Sequence, residues 1–184
     1  MKMHEEVEAL AILIHDLRKF KNLTLGELAA RINRSVGFLS QVERGVSRPS
    51  VADLTAISEA LGVSTGYFYN LSKPRSISWV TRPHERRTLY LGSGITDVLA
   101  SPTITGAFSV LDSHLEPGAC SGEPHLTDRS EQGGFVLDGE LTVWLDDGDP
   151  VTLQANDCFQ LQPHAQLRYA NLTENITRVL WVFN

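Results

Sequence analysis

Residues 24–45 read TLGELAARINRSVGFLSQVERG, and their pattern predicts two short helices joined by a tight turn. Thr24 and Glu27 stand at capping-box spacing, so that the Thr24 hydroxyl caps the third helical N–H while Glu27 reaches back. Leu25, Leu28, Ala29 and Ile32 follow helical spacing and give the first helix one apolar face. Asn33 falls where the chain must turn sharply, and asparagine tolerates left-handed backbone geometry. Ser35 is placed to cap the second helix and Gly45 to end it, with Val36, Leu39 and Val42 pointing inward. The outward face carries Gly37, Ser40, Gln41 and Arg44, small or hydrogen-bonding residues where a solvated helix usually carries Glu and Lys. Such a face suits a polar partner.

Extended to LRKFKNLTLGELAARINRSVGFLSQVERGVSRPSVADLTAISEALGV, the stretch resembles the DNA-binding domain of lambda-repressor-like (Xre) transcription regulators, from about Leu10 to Tyr69. The carrying features are LR before the motif, ELA in its first helix, SQVERG closing the second, RPS opening the next, and LTAISEALGV. The resemblance implies an all-α domain of five helices in which helix 35–44 enters the major groove. It places Val36, Gly37, Ser40 and Gln41 toward the bases, and Gln41 is able to read adenine bidentately. Thr24, Arg34, Ser35, Arg44, Ser47 and Arg48 are expected at phosphates.

Charge distribution agrees with that expectation, although net charge does not. The 184 residues carry a formal charge of −6. Residues 1–72 hold eight Lys/Arg and eight Asp/Glu, while residues 73–184 hold eight against fourteen. Within 18–48, Arg18, Lys19, Lys21, Arg31, Arg34, Arg44 and Arg48 face only Glu27 and Glu43, a local charge of +5. That is the footprint expected for phosphate contact. No apolar run reaches the roughly 20 residues that span a bilayer. The acidic start MKMHEEVEAL lacks the basic region and cleavage site of a signal peptide, so no membrane association and a cytoplasmic location are expected. Cys120 and Cys158 match no zinc spacing and make no disulfide framework; packing as small apolar residues is expected of both.

Periodicity changes after residue 72. Ser50–Leu61 and Ser64–Tyr69 still read as helices, and then SKPRS forms a polar, proline-containing linker at about 73–78. Alternating segments follow at 77–80, 88–91, 104–111, 135–137, 141–145, 151–153, 159–161, 167–170 and 176–183, separated by turn chemistry such as DDGD and QAND. Many short strands at such spacing predict an all-β sandwich or barrel. Two domains are therefore expected: a helical one over 1–72 and a β one over 79–184.

LEPGACSGEPHLTDRSEQGGFVLDGELTVWL, followed by VTLQANDCFQLQPHAQLRYAN, resembles a cupin, a double-stranded β-helix of the jelly-roll class. Gly118 opens the first motif and VLDGEL closes it. The second reads as Asn156-Asp157 followed by Pro163-His164. Cupins typically hold a divalent metal through a His-x-His pair, a Glu seven residues before the motif's glycine, and a later His. Here the pair reads Glu123-x-His125, Gln132 stands seven before Gly139, and His164 matches the later His. Glu131, one residue off, is expected on the opposite face of its strand. The resemblance therefore implies a pocket in which His125, Gln132 and His164 line one cavity with Glu123 at its rim. Two states stay open for it: Zn, Fe or Mn held by His125, Gln132 and His164, or a metal-free pocket that binds a small-molecule effector.

Together these readings predict a transcription regulator, a repressor, that binds operator DNA as a homodimer and senses an effector in the β-domain. No catalytic residue is assigned. One rival is a metal-dependent cupin enzyme carrying a DNA-binding tether; another is a repressor with a purely structural β-domain. His4 and His15 read as surface residues on an amphipathic helix. Trp79, Trp144 and Trp181 read as core residues, with Trp144 also able to line the barrel. Arg82, Arg86 and Arg87 read as a solvated cluster, with recognition of an anionic effector as the second reading.

Overall fold

The computed structural model describes residues 2–69, 79–127 and 131–184, which fall into two compact units, Met1–Arg87 and Thr88–Asn184. The expected linker at 73–78 lies outside the described residues. In the first unit five helices run in order: α1 (Lys2–Phe20), α2 (Leu25–Arg31), α3 (Val36–Glu43), α4 (Val51–Leu61) and α5 (Gly66–Tyr69). Each boundary has a local cause. Thr24 and Glu27 close the capping box of α2, with Glu27 N–H donating to Thr24 Oγ1 at 3.1 Å and Thr24 N–H to Glu27 Oε2 at 2.7 Å. Asn33 turns the chain with φ 53°, and Ser35 Oγ then accepts from Phe38 N–H at 3.1 Å to start α3. Gly45, at φ 69°, ends it. A second capping box, Ser50 with Asp53, starts α4.

The core of this unit joins Ile14 and Leu17 of α1, Leu28 and Ala29 of α2, Leu39 and Val42 of α3, and Ile57 and Leu61 of α4, all buried. Two sequence expectations change here. Val36 is 50% exposed and does not point inward, because the first residue of α3 extends past the helices that cover Leu39 and Val42. His15 is half-buried; its Nδ1 lies 2.9 Å from Glu43 Oε2, so it joins α1 to α3 and is not a bare surface residue. The side chain of His4 lies outside the described residues.

The second unit is all-β. One antiparallel sheet has the order β1 (Arg87–Gly92), β2 (Ile95–Leu99), β3 (Ser109–Leu115), β10 (Thr177–Phe183), β5 (Gln132–Asp138) and β8 (Cys158–Leu161). The other has the order β4 (His125–Leu126), β9 (Gln166–Ala170), β6 (Glu140–Leu145) and β7 (Val151–Gln154). This two-sheet, jelly-roll arrangement is the expected class. Inward residues alternate along each central strand: Leu111, Ser113 and Leu115 on β3, Gln132, Gly134 and Val136 on β5, Thr177, Val179 and Trp181 on β10.

Several local expectations need correcting. Trp79 and Val80 form no strand, and Trp79 is 79% exposed. The segment expected over 104–111 bends until Ser109, where β3 begins. Strand β2 was not among the expected ones, because its inward position Asp97 breaks the apolar alternation. That carboxylate is held by a hydrogen bond from the Ser113 hydroxyl on the neighbouring strand. Neither cysteine packs as a buried apolar residue: Cys120 is half-buried and Cys158 exposed.

Candidate functional site

Two sites emerge, one in each unit. In the helical unit, α3 exposes Val36, Gly37 and Gln41, with Ser40 half-buried beside them and Arg44 exposed at the helix end. The caps of α2 and α3 leave outward-facing N-terminal turns at Thr24 and Ser35, and a helix N-terminus with its free N–H groups suits a phosphate. Both cap hydroxyls are engaged, Thr24 Oγ1 with Glu27 and Ser35 Oγ with Phe38 N–H. Arg44 Nε donates to Ser40 O at 3.2 Å, which lays that side chain along the exposed face. Ser47 is half-buried and Arg48 exposed.

Not every cation of the +5 stretch belongs to this surface. Arg18 is 5% exposed and grips Glu43 through two hydrogen bonds, Nε to Oε1 and Nη2 to Oε2, each 2.7 Å. Arg18 Nη1 also donates to Leu23 O at 2.8 Å. This pair is internal architecture that anchors the end of α3 to α1. Burial on its own would push the Glu43 carboxyl up, but the hydrogen bonds and charges of Arg18 and His15 outweigh it and hold Glu43 below its ordinary range. The pair removes one charge of each sign, so the formal charge of the stretch 18–48 stays at +5. Arg34 is shared: its Nε donates to Asp53 Oδ1 at 2.8 Å and its guanidinium lies 5.6 Å from the Phe38 ring centre.

In the β unit, a cavity of about 70 Å³ opens between the sheets. Asp97, Leu111 and Ser113 line it from β2 and β3, Gln132 from β5, Trp181 and Phe183 from β10. Leu167 and Tyr169 of β9 and His125 of β4 complete it from the other sheet. Glycine makes the arrangement possible. A Cβ on Gly134 would stand 2.4 Å from Phe159 Cζ, so only glycine lets Phe159 lie over β5. Phe159 then packs edge-on to Trp181 at 5.0 Å, and Tyr169 flanks the same indole at 5.0 Å. The Tyr169 ring in turn meets His125 at 6.4 Å. Burial, and next the nearby Asp97 charge, push the Tyr169 phenol well above its ordinary range, so it stays a neutral O–H donor.

Of the expected pocket residues, His125 and Gln132 are brought together in this cavity. His164 is not among its lining residues: it is exposed on a turn at φ 62°, displaced from the inward face by that turn. Glu123 lies exposed in the loop before β4 and does not reach the rim as expected. Glu131 is exposed and accepts from Gln160 Nε2 at 2.8 Å on the outer side, as its register requires. Trp144 does not line the cavity; the Arg168 guanidinium sits 4.7 Å from its ring centre. Sequence reasoning missed Asp97, Ser113 and Tyr169. The only available signal was their position on inward steps of strands, which polarity disguised.

The expected metal ligands therefore do not assemble. Among the described residues no three His, Cys, Asp or Glu side chains stand together as a metal group. The cavity brings one imidazole, His125, and one carboxylate, Asp97, beside the neutral Gln132 amide, and this set falls short of the three or four strong donors that hold a divalent ion.

Comparison with known proteins agrees with both halves of the fold. A helix-turn-helix family model matches residues 14–68 and a cupin-domain model matches residues 111–183. The chain carries a helix-turn-helix domain and a cupin domain. The resemblance to the Xre-type regulators and to the cupins is thereby borne out. Among solved structures, hydroxypropylphosphonic acid epoxidase from S. wedmorenis is similar over 97% of this chain and 98% of its own, at 16% identity and a TM-score of 0.50. A structure of FeII HppE matches over 96% and 98%, again at 16% and 0.50. A helix-turn-helix transcriptional regulator from Vibrio cholerae matches over 98% and 96%, at 23% identity and a TM-score of 0.46. No curated protein matches the chain. Among the described residues no helix is long and apolar enough to cross a membrane.

Proposed function

We propose that this regulator is a repressor that binds a two-fold related operator as a homodimer, reading bases with α3, and that a small-molecule effector in the cupin cavity changes operator affinity. The observation that carries the reading is the face of α3. It is capped, fixed to α1 by the Arg18–Glu43 pair, and presents Val36, Gly37, Ser40 and Gln41 without a single acidic side chain. Gln41 reads a base edge; Arg34, Arg44, Ser47 and Arg48, with the N-terminal turns at Thr24 and Ser35, hold phosphates. One such motif buries too little for tight specific binding, so two copies act together.

In the β unit the polar inventory favours a binding site over a packed structural interior, since Gln132, Asp97 and Tyr169 line a cavity where a structural domain needs only apolar side chains. The effector acts only if its affinity differs between the DNA-bound and DNA-free forms. In this reading the cavity binds a ligand and the protein acts as a regulator, not as an enzyme.

Selection of bound fragments from a random duplex library tests the reading. A two-fold symmetric sequence with half-sites one helical turn apart is the expected product. Recovery of sequences without symmetry contradicts the homodimer. Limited proteolysis within 71–78 is expected to release a folded β-rich fragment, and resistance of that window contradicts two separable domains.

A further inference from the structure

The outer face of the six-stranded sheet is apolar where water would meet it. An antiparallel sheet with one face on the core carries polar side chains on the other. Here the steps between the inward residues point outward, and register sets them side by side. Val98 is opposite Asp112, Asp112 opposite Leu180, Leu180 opposite Phe135, and Phe135 opposite Cys158. Two residues along, Val110 stands opposite Val182. Phe135 is 36% and Val182 42% exposed, Cys158 is exposed, and Val98, Val110 and Leu180 are half-buried. A contiguous apolar patch of this kind marks an interaction surface.

Two properties select a second copy of the chain as its occupant. The first is charge. A two-fold contact sets a patch against itself, so an uncompensated charge on it would meet its like. Over residues 73–184 acidic groups outnumber basic ones fourteen to eight, which makes much of this surface repel its own copy. The sheet face is different. Asp112 is 3% exposed, and Arg178 Nε and Nη2 donate to its two oxygens at 2.8 and 2.7 Å, with His114 Nε2 at 3.4 Å. Asp138 stands on the other side of Arg178, so this end of the face carries both signs. The second property is area. Strands β3, β5 and β10 have seven residues each, and five strands from β2 to β8 share the face. Ordinary strand geometry makes it about 24 Å by 24 Å, on the order of 600 Å². That is the area each partner gives at the lower end of stable interfaces.

Resting on the reading of the protein as a homodimer, we propose that two chains join through this face of the cupin domain, with Phe135, Leu180 and Val182 at the centre of the contact.

The test is sedimentation equilibrium of the full chain. The wild-type chain is expected to be dimeric at micromolar concentration. Phe135→Lys and Val182→Lys, which bring an ammonium group into the contact, are each expected to raise the dimer dissociation constant at least about a hundredfold. Val151→Lys, an equally exposed apolar position on β7 of the other sheet, is expected to leave it unchanged. Circular dichroism matching the wild type shows each variant to be folded, and either lysine variant suffices alone. Alkylation of Cys158, read by peptide mass apart from Cys120, gives an independent measure. Its rate should follow the monomer fraction, falling at least about fivefold from dilute to dimeric protein, and Phe135→Lys should restore the fast rate. A dimer untouched by both lysine variants overturns this face and leaves the homodimer reading standing. Slow alkylation even in dilute monomer also overturns it, because the face is then covered within a single chain. A wild-type chain that stays monomeric overturns the face as well, and the number of copies bound per operator duplex then decides the homodimer reading separately.

Discussion

Arg18 of α1 and Glu43 of α3 face each other as a two-point ion pair at 2.7 Å, both nearly sealed from solvent, with His15 closing on the same carboxylate at 2.9 Å. The pair sets the end of α3 against α1. Removing one partner strands the other charge in the interior. Glu43→Gln or Arg18→Met is therefore expected to destabilise the helical domain by about 3–5 kcal/mol, while the double change Arg18→Met/Glu43→Leu costs far less than the sum. Chemical denaturation of the three variants checks this. Additive losses would mean that the two residues do not act as a pair.

Acid should act on the same domain through two carboxylates. Glu43 lies below its ordinary value of 4.5 because the Arg18 and His15 contacts outweigh its burial. Asp53 lies below 3.8, chiefly through the Ser50 hydroxyl, with Arg34 adding to it against desolvation. A depressed folded value means that the stabilisation is complete above the ordinary carboxylate range and is lost as pH falls through the lower, folded value. Melting temperature followed from pH 7 downward is expected to stay level to about pH 5 and then fall. The fall should be shallower in Glu43→Gln, because that variant has already lost one of the titrating pairs.

Gly134→Ala probes the cupin interior. The added methyl meets the Phe159 ring at 2.4–2.7 Å and Leu180 O at 2.9 Å. A loss of roughly 1–3 kcal/mol is expected from overpacking. Because Phe159 must move, the Trp181 indole signal should shift as well. An unchanged Trp181 environment would show that Phe159 does not orient the indole.

The helical domain was legible almost to the residue, since its signals are local. Capping boxes at Thr24 and Ser50, a left-handed Asn33 and a terminating Gly45 each act within four residues. What sequence reasoning mistook there depends on long-range packing. Arg18 counts toward the +5 stretch in sequence, whereas in the fold Glu43, 25 residues away, neutralises it. In the β-domain the strand periodicity was legible, but the cavity was only half so. His125 and Gln132 lie where motif spacing places them, whereas His164 is turned out by a backbone at φ 62° that spacing does not encode. Asp97 and Trp181, distant in sequence, are brought together by the pairing of β2 with β3 and of β3 with β10, which no local signal encodes.

The proposed DNA interface contains two kinds of residue. Arg44 and Arg48 are exposed cations beside α3, and alanine at either should weaken binding alike on every sequence. Each change should also lower the salt slope by about one unit.

Gln41 carries the central claim that α3 reads sequence. Binding of the wild-type chain and of Gln41→Ala should be measured side by side on the selected operator and on a scrambled duplex, at one fixed salt concentration. The account predicts a loss of ~1–3 kcal/mol on the operator and little change on the scrambled duplex. Equal losses on the two duplexes would contradict it, because a residue that weakens all DNA alike holds backbone and reads no base.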